Sequence, residues 1–183
     1  MDKIKLATVW LAGCSGCHMS FLDLDEWLFE LVKYAEIVHS PIADIKEYPE
    51  NVDVCLVEGA IANEENLELI HKIRDRTKFL ISFGDCAVTA NVPGMRNMMG
   101  RDNADLVLRR SYLELGDITP QLPKAPGIVP ELLERVFPVH EVVKVDLFLP
   151  GCPPSAARIK AAIAPLLEGK MPLMEGRDMI KFG

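Results

Sequence analysis

Aromatic residues make up only 7% of this sequence, too few to build the stacking platforms on which single-stranded nucleic acids lie. Positive charge is in deficit. Twenty lysines and arginines face 27 aspartates and glutamates, and the formal net charge is −7. Such a surface repels nucleic-acid phosphates and gives no reason to expect attachment to anionic lipid. No stretch approaches the roughly 18 consecutive apolar residues of a membrane-spanning helix. Neither nucleic acid nor a membrane span is therefore expected. A convincing signal peptide is also wanting. Leu11-Ala12-Gly13-Cys14 has the look of a lipoprotein processing box, but the apolar run before it is short and contains Thr8 and Trp10. Lipidation at Cys14 would also leave Cys17 and the later cysteines without a role.

What is present is an ordinary globular balance: 183 residues, 49% apolar and 26% charged. That suits a single domain able to bury its core without disulfides. The five cysteines are an odd number, and Cys14 and Cys17 are spaced as a metal or redox pair rather than a staple. A reduced, cytoplasmic protein whose cysteines do chemistry is expected.

Hydrophobic patterning gives the order of elements. Lys3–Leu11 is a compact apolar run that reads as a buried strand. Ser20 is placed to cap a helix over Phe21–Tyr34, with Phe21, Leu24, Leu28, Leu31 and Val32 at helical spacing. Strands are expected at 35–40, 52–57 and 78–83, and a helix capped by Asn63 runs to about Arg76. A last strand at 142–149 is followed by a helix from Ser155 to about Leu167, then an extended tail. Continuous apolar strands alternating with helices imply a parallel sheet covered on both faces. The fold class is α/β: a flavodoxin-like, doubly wound parallel sheet of order 2-1-3-4-5, with a long irregular insertion before the last strand. That insertion, residues 87–138, is rich in proline and holds Met95, Met98 and Met99 close together. It reads either as a solvated loop with short helices or as a surface that folds against a partner chain.

Parallel topology makes the cysteines informative. Cys14 and Cys17 follow the first strand, Cys86 the fourth, and Cys152 the last. All those strand ends lie on one edge, so four thiols distant in sequence are brought together. Each has a glycine within two residues, where the backbone must turn sharply or approach a bulky ligand. Four thiolates suit structural zinc or an iron–sulfur cluster. Zinc usually takes two short-spaced pairs. One pair and two singles spread along the chain favour a [4Fe–4S] cluster, and Pro153 after Cys152 fits the Cys-Pro step of ferredoxin-type runs. Cys55 lies inside a strand, about 10 Å from that edge at 3.3 Å per residue, and reads as a small buried residue.

The motifs together resemble the small subunits of nickel–iron hydrogenases. Thr8-Val9-Trp10-Leu11-Ala12-Gly13-Cys14-Ser15-Gly16-Cys17-His18-Met19-Ser20 is similar to that family's first cluster motif. Val57-Glu58-Gly59-Ala60-Ile61 is similar to its second, Gly84-Asp85-Cys86-Ala87 to its third, and Gly151-Cys152-Pro153-Pro154 to its fourth. The resemblance implies that Cys14, Cys17, Cys86 and Cys152 hold the [4Fe–4S] cluster nearest the nickel–iron site of a separate large subunit. No further cysteine follows Cys152, so one cluster is expected. A short, single-cluster, leaderless small subunit looks most like that of the soluble NAD-reducing hydrogenases. There, electrons pass to diaphorase subunits carrying iron–sulfur centres, FMN and the NAD site. The nearest competitor is the cluster subunit of NADH–quinone oxidoreductase, whose first motif has adjacent cysteines where Ser15-Gly16 intervene here. From another class, a structural zinc-binding interaction module remains a rival.

Glu58 reads two ways, as a solvated or helix-capping carboxylate or as a proton relay at the large-subunit interface. His18 is either a surface residue or a hydrogen-bond donor to a cluster sulfur or the partner. Asp85 is expected to organise its turn, and Trp10 and Trp27 to be core. His39, His71 and His140 show no metal-site spacing. The sheet type also admits FMN at the same edge, with Ser15, Gly16 and Ser20 near its phosphate, but cluster and flavin would compete for the loop that carries Cys14 and Cys17.

Overall fold

The computed structural model describes residues 3–43 and 45–182. In chain order its elements begin with β1 (Ile4–Trp10), α1 (Gly16–Leu22), α2 (Trp27–Tyr34), β2 (Ala35–His39), β3 (Val52–Glu58) and β4 (Ile61–Asn63). They continue with α3 (Glu64–Arg76), β5 (Thr77–Phe83), α4 (Asp85–Thr89), α5 (Asn91–Gly94) and α6 (Asn103–Arg109). The last are β6 (Leu132–Phe137), α7 (Val139–Val142), β7 (Leu147–Leu149), α8 (Ala156–Leu167) and α9 (Arg177–Ile180).

Five strands form a parallel sheet in the order β2-β1-β3-β5-β7. Counted without the two short outlying strands, this is the 2-1-3-4-5 order expected. β3 is central because almost all of it is apolar, and every residue of it except Asp53 is buried. Alternation splits its side chains between two cores. Val54 and Leu56 join Leu6, Phe21, Leu31, Ile81, Leu149 and Ile159 on one face. Cys55 and Val57 join Val9, Tyr48, Ile70, Ile73 and Leu80 on the other. The Asn63 cap is made as expected: its side-chain oxygen accepts the Asn66 N–H at 2.8 Å.

Four expectations need correction. The helix expected over 21–34 is two helices. α1 starts at Gly16, and the chain breaks at 23–26, where Asp25 takes a left-handed φ of 47°. Ser20 lies inside α1, and its hydroxyl donates to the Pro154 carbonyl at 2.6 Å instead of capping. The last strand shrinks to Leu147–Leu149. Its expected first half is the last residue of α7 and a connection that ends at Asp146. That carboxylate takes the Leu80 N–H at 2.9 Å and the Arg74 guanidinium at 2.7 Å. The insertion is less irregular than expected, because beyond short helices it holds a strand. It carries α4 to α6, a 3-10 turn at Met95–Met99 and β6, which pairs antiparallel with β4. The tail is not extended throughout, since α9 lies within it and Arg158 donates to the carbonyls of Met179 and Lys181.

Candidate metal centre

The ends of four parallel strands lie in one row. Trp10 is in register with Glu58, Glu58 with Phe83, and Phe83 with Leu149. Whatever follows those residues leaves the sheet from the same edge. Cys14 comes four residues after Trp10, Cys86 three after Phe83, and Cys152 three after Leu149.

Backbone hydrogen bonds tie the loops together. Leu11 donates to the Glu58 carbonyl at 2.8 Å, and Ala12 and Ala60 exchange both bonds, at 3.0 and 2.7 Å. Gly59 permits this approach: at φ 94° a side chain there would sit 2.8 Å from the Ala12 oxygen. Asp85 organises its turn, as expected. Its N–H donates to the Gly151 carbonyl at 2.9 Å and its carboxylate accepts the Gly151 N–H, which joins the Cys86 and Cys152 segments.

The two buried thiols feel their neighbours. Burial pushes the Cys17 thiol well above its ordinary pKa, and the charges of Glu58, Cys86, Cys14 and Cys152 push it further. Burial raises Cys86 too, opposed by a hydrogen bond from the Val92 N–H and reinforced by Cys14, Cys152 and Glu58. Cys17 and Cys86 are buried, while Cys14 and Cys152 are exposed, so the group straddles the protein surface. Cys55 lies elsewhere, fully buried and level with Ala7 and Leu80 in the middle of the sheet. Among the described residues, no three His, Cys, Asp or Glu side chains converge on a point that would hold a single metal ion.

Glu58 is buried, 1% exposed, and faces the first loop. Its carboxylate accepts the Cys17 N–H at 3.3 Å and the His18 N–H at 2.9 Å, and it pairs with the His18 ring Nδ1. Two of the free N–H groups at the start of α1 are thereby satisfied. His18 is not a surface residue. The other ring nitrogen, Nε2, is buried without a hydrogen-bond partner among the described residues. Trp27 packs against the core, but Trp10 is 46% exposed at its strand end. Trp10 is the last residue of β1, where the covering helices stop, so it is not core as expected.

Two contacts escaped the sequence. The Asn91 side-chain amide donates to the Cys152 sulfur at 3.6 Å, and the Ser20 hydroxyl ties α1 to the Cys152 loop. Asn91 opens Asn91-Val92-Pro93-Gly94, a turn signal five residues after Cys86, which marks a chain reversal near the thiols but not a contact.

Gly84 makes a sharp test of this packing. It has a φ of 84°, and a Cβ there would overlap the Cys17 sulfur. Gly84→Ala is expected to displace that sulfur and lower the melting temperature; an unchanged melting temperature would show that the loops rearrange freely.

A family model described as NADH ubiquinone oxidoreductase, 20 Kd subunit, matches residues 14–166, from the first cysteine of the row to beyond the last. The chain belongs to this family. Within it, a vhu subunit of the F420-non-reducing hydrogenase of Methanocaldococcus jannaschii is 42% identical over 171 residues, covering 92% of this chain and 58% of that protein. The delta subunit of the NAD-reducing hydrogenase HoxS of Cupriavidus necator is 40% identical over 172 residues, covering 92% of this chain and 80% of that one. Among solved structures, a chain of an NAD+-reducing [NiFe]-hydrogenase in the H2-reduced state matches with a TM-score of 0.91 at 36% identity, over 100% of both chains. The resemblance to a nickel–iron hydrogenase small subunit, and among these to the NAD-reducing kind, is borne out. The chain spans 52–58% of the length of the methanogen relatives it matches.

Proposed function

We propose that this chain is the electron-relay subunit of a hydrogen:NAD+ oxidoreductase, with one [4Fe–4S] cluster held by Cys14, Cys17, Cys86 and Cys152. Electrons would come from a nickel–iron large subunit and leave toward iron–sulfur and flavin diaphorase subunits. The observation that carries the reading is the convergence of these four thiols, from three loops, at one edge of the sheet. Their chemistry fits the group. Four sulfurs gathered at one edge, two of them buried, suit a cationic iron core that thiolates can hold. When bound, such a cluster supplies one-electron transfer and no bond chemistry.

The protein's own residues hold the frame. Glu58 fixes the Cys17 and His18 backbone, Asp85 joins the Cys86 and Cys152 segments, and Gly84 leaves room for the Cys17 sulfur. Glu58 also remains a candidate proton relay. The exposed apolar residues Trp10, Met19 and Phe148 lie at or near the row of strand ends, and Met95, Met98 and Met99 lie exposed on the insertion. That distribution supports a partner-facing role for the thiol edge and for residues 87–138. A cytoplasmic location accords with a reduced thiol set and with the absence, among the described residues, of a helix long and apolar enough to cross a membrane.

A second reading, the cluster subunit of an NADH–quinone oxidoreductase, is favoured by the family's description, and Ser15-Gly16 between the first two cysteines speaks against it. Purification of the complex from its source, with subunit identification and iron and sulfide analysis, separates the readings. Hydrogen-dependent NAD+ reduction by a complex containing this chain supports the first. Quinone reduction without hydrogenase activity supports the second, and zinc without sulfide would sink both.

A further inference from the structure

We infer that Asn91 sets the electron affinity of the metal centre by donating a hydrogen bond to the Cys152 sulfur; this deepens the cluster reading above and rests on it. The contact is built by the backbone. α4, which carries Cys86, ends at Thr89, and Ala90 then takes a left-handed conformation with φ 64° and ψ −11°. A residue with a Cβ adopts that conformation only where its surroundings impose it. Here they do. The Ala90 methyl is buried with Ala60 and Val136, and its carbonyl accepts the Gly94 N–H at 2.8 Å.

The reversal aims the next residue at a sulfur: the Asn91 amide Nδ2 lies 3.6 Å from Cys152 Sγ. A thiolate has lone pairs and no proton, so the amide's donor end must face it. This is also the one hydrogen bond the Asn91 side chain makes among the described residues. Asn91 is exposed, and no core contact depends on it. Its amide is therefore free of structural duty and dedicated to the sulfur.

A donor to a sulfur ligand stabilises the more electron-rich, reduced centre more than the oxidised one, and so raises the reduction potential. Alanine removes the donor. Aspartate replaces it with a negative charge of the same shape, which opposes reduction further. The experiment compares wild-type, Asn91→Ala and Asn91→Asp complexes by iron and acid-labile sulfide content and by a redox titration followed through the paramagnetic signal of the reduced cluster. Full iron and sulfide are expected in all three. The potential should fall in Asn91→Ala and fall further in Asn91→Asp, the latter by about tenfold in the one-electron equilibrium, or about 59 mV. Three equal potentials at full iron content overturn the inference and leave the relay reading intact. Iron loss in both variants overturns it too, since Asn91 would then be needed for assembly. A wild-type complex without iron and sulfide overturns the relay reading itself, and this inference with it.

Discussion

Alanine at Cys14, Cys17, Cys86 or Cys152 is expected to leave a three-iron centre or none, with electron transfer lost, whereas Cys55→Ala is expected to keep four irons and the signal of the reduced cluster. The contrast follows from register. The first four cysteines emerge beyond the row Trp10, Glu58, Phe83, Leu149. Cys55 lies three residues short of that row, about 10 Å back at 3.3 Å per residue. It is packed with Tyr48, Ile70, Ile73 and Leu80, and burial pushes its thiol up to about 12. A cube of four irons takes one protein ligand per iron, so a fifth thiol has no vacant position. The cost of Cys55→Ala should be one small packing defect, about 1 kcal/mol. Iron and sulfide analysis of the five single variants decides the matter. Cluster loss in Cys55→Ala with retention in Cys86→Ala would overturn the ligand set.

The second large effect is expected at Glu58. Glu58→Ala strands the N–H groups of Cys17 and His18 and the His18 ring in a buried site. Each buried donor left unpaired costs about 1–3 kcal/mol. A total near 3 kcal/mol would lower the melting temperature by about 6–12 °C for a chain of this length, and the loss of the Cys17 loop should reduce iron content. Glu58→Gln keeps one acceptor oxygen, so a smaller loss of both is expected. The partners that the Glu58 carboxylate holds among the described residues belong to the cysteine loop, which makes positioning its main work. Hydrogen oxidation per bound iron should then be unchanged in Glu58→Gln. A fall in that ratio at full iron content would instead establish the proton relay.

The sheet was legible because its strands are continuous apolar runs stopped by glycine or proline, and a run such as Val52–Val57 admits few other structures. Once the strands were parallel, the shared edge of the cysteine loops followed from geometry alone. The Asn63 cap was legible because its oxygen acts three residues away. What escaped depends on partners far along the chain. The break at 23–26 escaped because Leu24, Leu28 and Leu31 keep helical spacing across it, and nothing local signals the left-handed Asp25. The β4–β6 pair joins residues about 70 apart by only a few bonds, too weak a pattern for a strand of three residues, one of them Asn63, to announce. Val142 and Val143 look like strand, but Asp146 fixes the chain to Leu80 and Arg74 and delays the strand to Leu147. The burial of Glu58 was hidden because a carboxylate at a strand end is usually solvated. Only α1, starting at Gly16, reveals what it caps.

The short strand β7 bears on how this protein is made. Only three of its residues pair with β5, and they are followed at once by the loop bearing Cys152. On the ribosome, Cys14 and Cys17 emerge first and Cys152 more than 130 residues later. No nascent chain lacking β7 has the fourth thiol or the edge that presents it. On the proposed ligand set, cofactor loading would follow translation of nearly the whole polypeptide.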